Sequence, residues 1–135
     1  MNKLIAAVLS FLIFFNFFGC AALRVKFAEK AGLELMQAAM ANPVYEENGE
    51  LLTCQYELRW KGREYEAFGI AETEHIGKLF GLTDMASHMR VFLVADQSPD
   101  DWLIWVFGDF MGVWLLCKEK SATDIPDGFV PFGTE

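Results

Sequence analysis

No charged residue lies between Leu4 and Leu23, a run of 20 positions preceded only by Lys3 and the amino terminus. A helix of that length spans about 30 Å at about 1.5 Å per residue, the thickness of a bilayer's hydrocarbon core. Such a stretch leaves water for lipid, whether it is later removed or kept. It divides the chain into residues 1–22, a signal peptide or membrane anchor, and residues 23–135, a single small domain. Everything the domain does is then done at a membrane or beyond it.

The charges sharpen this division. Lys3 is the only charge before Arg24, so the remainder carries 10 basic and 19 acidic residues, a net −9. An acidic surface repels phosphate backbones, which argues against nucleic acid as a partner and favours a basic one. With 8 of the chain's 13 Phe and all 4 Trp and 3 Tyr, the domain has the material for one packed core.

The apolar stretch Leu4–Phe18 followed by FFGC resembles the signal of a bacterial lipoprotein precursor. Members of that family are cut before a cysteine whose thiol receives a diacylglycerol. Gly19 and Cys20 match the last two positions of the cleavage box, while Phe17 and Phe18 stand where Leu and a small residue are usual. The resemblance covers about the first 20 residues. It implies lipidation at Cys20 and a membrane-anchored, periplasmic domain in the bacterial cell envelope. Ordinary secretion after Gly19-Cys20-Ala21-Ala22 and an uncleaved membrane helix are the two other fates. With Cys20 lipidated, Cys54 and Cys117 remain as a pair able to form one disulfide; two buried, unpaired thiols are the alternative.

Along the domain, RVKFAEKAGLELMQAAMAN is rich in helix formers and ends at Asn42-Pro43, which predicts a helix over most of that span. LLTCQYELRW alternates with period two, and REYEAFGIA follows after Lys61-Gly62, predicting a hairpin with Leu58 opposite Tyr65 and Glu57 opposite Glu66. ETEHIGKLFGL is expected to form a short helix limited by Gly77 and Gly81, and RVFLVAD a buried strand. DWLIWVFGDFMGVWLLCKEK is read as a second hairpin turning at Gly108-Asp109, with Trp105 opposite Gly112. Both its faces are apolar, so one packs inward and the other needs a cover. Phe129, Val130 and Phe132 in the tail are candidates for part of that cover. The expected fold class is α+β: a membrane segment and helix, then an antiparallel sheet of about five strands with one short inserted helix.

The chemistry-bearing residues make no recognisable motif. Glu72, Glu74, His75, Asp84 and His88 could be assembled into a metal site, but no HExxH or paired-His spacing is present. Asp96, Asp100 and Asp101 lack the EF-hand spacing, GxSxG is absent, and no glycine-rich phosphate loop follows a strand. No catalytic residue, metal or cofactor is therefore expected. Trp102, Trp105, Phe107, Phe110 and Trp114 form the candidate binding surface, since aromatics are favoured at recognition sites; the alternative is that they fill the core of the sheet. The expected activity is a tethered binding module for a protein or a small apolar ligand. The alternatives are an inhibitor or immunity-type protein with an acidic face, a small-ligand carrier, or a small hydrolase.

Overall fold

The computed structural model describes residues 20–85, 90–108 and 112–133. The leader and its expected fate lie outside them, as do Phe110 and His88. Among the described residues no helix is long and apolar enough to cross a membrane.

The described chain is one helix and a closed seven-stranded barrel, which overturns the expected α+β arrangement with a five-stranded sheet. α1 (Cys20–Ala31) is followed by β1 (Glu34–Tyr45), β2 (Leu51–Trp60), β3 (Arg63–Ile70), β4 (Ile76–Thr83), β5 (Arg90–Val94), β6 (Trp102–Phe107) and β7 (Val113–Glu119). Around the barrel the order is β1-β2-β3-β7-β6-β5-β4, and β1 closes it by pairing in parallel with β4.

The expected long helix ends early, at Gly32. Its φ of 72° is natural only for glycine, and Gly32 and Leu33 donate to the Glu29 and Ala28 carbonyls at 3.4 and 2.8 Å. Those two bonds make a Schellman cap. Beyond it, LELMQAAMAN becomes β1 despite its helical composition, because both strand edges find partners: β2 on one side, β4 on the other. Two ladders outweigh propensities worth a few tenths of a kcal/mol per residue. Pro43 falls within a register shift between Ala41 and Val44, where its missing N–H costs no ladder bond.

The expected helix after Glu72 is also corrected. Only Thr73–His75 forms one 3-10 turn, and Ile76–Thr83 is the strand β4. Gly77 and Gly81 are there for close backbone approach. An added Cβ would lie 2.8 Å from the Leu93 carbonyl oxygen at Gly77 and 2.8 Å from that of Glu34 at Gly81.

The β2–β3 hairpin has the expected register, with Leu58 opposite Tyr65, Arg59 opposite Glu64 and Glu57 opposite Glu66. Lys61 and Gly62, at φ 48° and 76°, form the type I′ turn that matches strand twist. The β6–β7 hairpin forms too, but with a longer loop. Phe107 faces Val113 and Trp105 faces Leu115, so the expected cover of Gly112 by Trp105 does not form.

Two hydrophobic clusters lie on opposite faces of the β5–β6–β7 wall. Met36, Leu58, Trp60, Tyr65, Val91, Leu103, Trp105 and Cys117 fill the barrel. Val94, Trp102, Ile104 and Leu116 face outward with Phe68, Phe92, Trp114 and Phe129 around them. The tail supplies part of the outer cover, as its apolar residues suggested. Phe129 packs edge-on against Trp102 and His75, at 4.8 and 4.7 Å between centroids, and the Phe132 N–H donates to the Phe68 carbonyl at 2.7 Å. Gly69 makes room for this strap, since a Cβ there would sit 2.2 Å from the Val130 oxygen.

Candidate functional site

The barrel wall opens between β2 and β3. Their pairing stops at Glu57–Glu66. Beyond that point β2 continues with β1, while β3 continues with β7 through an irregularity between Ala67 and Gly69. Two strands committed to different neighbours must diverge, and a cleft of about 440 Å³ lies where they part. Tyr56, Ala67, Phe107 and Leu115 give it an apolar lining, and Tyr56 and Phe107 stand 5.8 Å apart between ring centroids. Tyr56, Phe107 and Leu115 also pack against the barrel core, so the cleft reaches the interior. Asn42, Gln55, Glu57, Glu66 and Lys120 supply its polar rim.

The paired carboxylates at the fork are a like-charge contact, and the structure shows how it is tolerated. Lys120 hydrogen-bonds Glu57 and also Glu64, the latter at 2.9 Å, so one ammonium from the end of β7 ties β2 to β3. Arg59 stands farther off, 3.9 Å from Glu57 and 4.0 Å from Glu64. These contacts push Lys120 up to about 12, chiefly through its hydrogen bond to Glu57. The bond from Lys120 holds Glu64 below the usual carboxylate range. Glu66, by contrast, is exposed at the cleft rim, and Lys118, which stands opposite it on β7, turns its ammonium to the Glu119 and Ala122 carbonyls at 3.1 and 2.8 Å instead. The cleft therefore combines an apolar floor with an exposed carboxylate that is in no close ion pair among the described residues, a pairing suited to an amphipathic, basic group.

Past the fork, the β1–β2 ribbon projects beyond the barrel. Met40, Val44, Tyr45, Leu51 and Leu52 are exposed along it, and Glu46, Glu47 and Glu50 crowd its turn. Among the described residues, Leu51–Gln55 pair only with β1.

The residues singled out from sequence are placed differently. Trp102 and Trp105 are each 1% exposed, on opposite faces of β6, so they are core and unavailable as a contact surface. Trp114 is half-buried against Phe92 at 4.8 Å. Phe107 alone of the described members of that set lines the cleft. Alternation explains this outcome: in a strand covered on both faces, aromatic residues of either parity become core. The cleft itself left little trace in the sequence, beyond the like-charge register pair that needs a cation from elsewhere.

Cys117 is a free, buried thiol whose Sγ lies 3.8 Å from the Leu115 carbonyl. Burial pushes it up to about 12, which removes thiolate reactivity near neutral pH. Cys54 belongs to β2, and its side chain lies outside what is described. Glu72, Glu74 and His75 do come within 4.8 Å of one another. However, His75 Nδ1 accepts the Glu72 N–H at 3.1 Å and its ring packs on Phe129, so that nitrogen is already engaged in the local turn. Asp84 is elsewhere, accepting the Ala38 N–H at 2.9 Å and extending the β1–β4 contact past its last pair.

No protein-family model, curated protein or solved structure matches this chain.

Proposed function

We propose that this protein is a membrane-tethered, extracytoplasmic binding module that takes a basic, partly apolar group of its partner into the cleft between β2 and β3. The observation that carries this reading is the divergence of the two strands over an apolar floor, with the Glu66 carboxylate exposed at the rim. The net charge of −9 after the leader and the acidic β1–β2 turn favour a basic partner and would steer its approach. The leader supports the tether, with Cys20 as the lipidated residue on the first of its three fates.

Two measurements test the two halves separately. The intact mass of membrane-extracted protein should show either residues 1–19 replaced by a diacylglycerol on Cys20 or the full-length chain; a shortened, unlipidated chain would refute the tether. For the cleft, a photoreactive side chain at Ala67 should give one discrete adduct in intact cells, and Gln55→Trp, which fills the cleft from β2, should abolish it. If Ala67 gives no adduct while the same probe at Lys78 does, the ligand binds elsewhere.

A further inference from the structure

A second hollow, of about 380 Å³, lies at the opposite end of the β2–β3 hairpin, beside its turn. Arg59, Trp60, Lys61 and Arg63 line it, with Leu35 and Gln37 from β1 and with Glu64, whose carboxylate accepts from Lys120 at 2.9 Å. Three cations within five residues is an unusual concentration in a domain of net charge −9. Arg63 shares a face of the hairpin with Trp60, Arg59 lies on the other face opposite Glu64, and Lys61 sits in the turn between them, so the cations reach the hollow from both sides of the hairpin end.

The three are weakly satisfied. Arg59 lies 3.9 Å or more from its two carboxylates, Lys61 is 3.9 Å from Glu34 and Arg63 is 3.5 Å from Asp100. Charge-assisted hydrogen bonds close at about 2.7–2.9 Å. Lys120 makes such a bond to Glu64, so the looseness belongs to this turn and is not general to the domain. The cations keep their donors.

Trp60 supplies an independent observation. It is only 7% exposed, it lines the hollow, and its indole Nε1–H is buried without a hydrogen-bond partner among the described residues. A buried N–H left unpaired is costly, typically about 1–3 kcal/mol, and calls for a partner from outside the described residues. Lys61 Nζ stands 5.0 Å from the same ring, so an acceptor seated by the indole would also meet an ammonium.

We propose that this hollow binds a phosphate-bearing ligand. Three separate cations around one hollow, whose one carboxylate is already held by Lys120, suit a tetrahedral oxyanion with three acceptor oxygens better than a planar carboxylate, which one arginine fork satisfies. The hollow is several times larger than orthophosphate alone, so the ligand carries a further body that rests on Leu35 and Trp60. Two sources share this chemistry: a phospholipid headgroup and a soluble phosphate ester. Lys61 lies 3.9 Å from Glu34, three residues after α1 ends, so the hollow sits beside the C-terminal end of that helix. The phosphate site is independent of the β2–β3 cleft and stands whichever way the leader is processed.

The test uses the full chain in nonionic maltoside micelles and follows the Trp60 indole N–H resonance, assigned with Trp60→Phe. Three probes are titrated: inorganic phosphate, glycerol phosphate, and phosphatidylglycerol mixed into the micelle. A saturable shift with either of the first two identifies a soluble phosphate ester; a shift confined to phosphatidylglycerol identifies a headgroup. In both cases Arg59→Gln/Arg63→Gln should bind at least about tenfold more weakly, the cost of one charge-assisted hydrogen bond. The single exposed change Lys61→Gln serves if the double variant does not fold. No shift with any probe, an equal shift with sodium chloride at matched ionic strength, or undiminished binding in the folded variant would overturn the proposal.

Discussion

The β5–β6–β7 wall and the projecting end of the β1–β2 ribbon are both antiparallel, and both are rich in apolar side chains. Their circumstances differ completely. The wall is covered on one face by the barrel interior and on the other by the tail, so residues of both parities are buried from Trp102 to Val106. The ribbon has neither cover, and Tyr45 and Leu52 remain 57% and 61% exposed. Apolar composition alone does not make a core. What makes one is a second surface to pack against, and the tail provides part of that surface where it returns over β3 and β6.

The sharpest way to break this comparison is inside the wall. Trp105→Ala should destabilise the domain by about 3–5 kcal/mol, measured by urea denaturation, because a fully enclosed indole leaves a cavity that the barrel cannot collapse. A loss within the range of an exposed residue would mean that the barrel interior is not packed as described.

A smaller effect is expected at the outer cover. Gly69→Ala places a methyl against the Val130 oxygen and should cost about 1–3 kcal/mol as the strap shifts. Hydrogen exchange should then show lost protection at Phe132, whose N–H bonds the Phe68 carbonyl, while the β2–β3 hairpin stays protected.

The pH dependence separates the wall from the fork. Cys117 keeps its proton in the folded chain up to about 12, so the unfolded chain ionises first. Stability is therefore fully present below the ordinary thiol range and falls as pH rises towards 12. Lys120 acts in the same direction, its contribution being lost as pH passes its raised value. Glu64 acts in the opposite sense: its contribution is present above the ordinary carboxylate range and is lost as pH falls through its lowered value. Cys117→Ala should flatten only the alkaline limb, whereas Lys120→Met should flatten both. Denaturation midpoints measured from pH 3 to pH 11 distinguish them.

The smallest effect belongs to the ribbon. Leu52→Ser should change stability by no more than about 0.5 kcal/mol, since the side chain is already in water. A loss of several kcal/mol would show that the ribbon has a cover after all.

Several local features were legible in the residues. The β2–β3 hairpin, its Lys61-Gly62 turn, the strand at Arg90–Val94 and the two-sided character of β6–β7 follow from period-two alternation and turn chemistry, which act over neighbouring residues. β1 was not legible, because its residues favour a helix when considered alone and become a strand only when β2 and β4 are present to pair with them. β4 was obscured in the same way by Gly77 and Gly81, which break a helix but admit neighbouring backbone.

The candidate sites divide along the same line. The RWKGR cluster is contiguous, so its charge is written in the chain, yet its hollow and the unpaired Trp60 N–H exist only once β1 packs alongside. The cleft needs residues from β1, β2, β3, β6, β7 and the tail, which no local pattern could bring together. The sequence by itself determined the apolar leader, the acidic balance and the alternating hairpins, because those depend on composition and on neighbours a few residues apart. Tertiary structure alone decided that seven strands close into a barrel, which tryptophans are core, and where the wall opens. These outcomes depend on which strand edges find partners, and pairing between distant segments is settled only when the whole chain has packed.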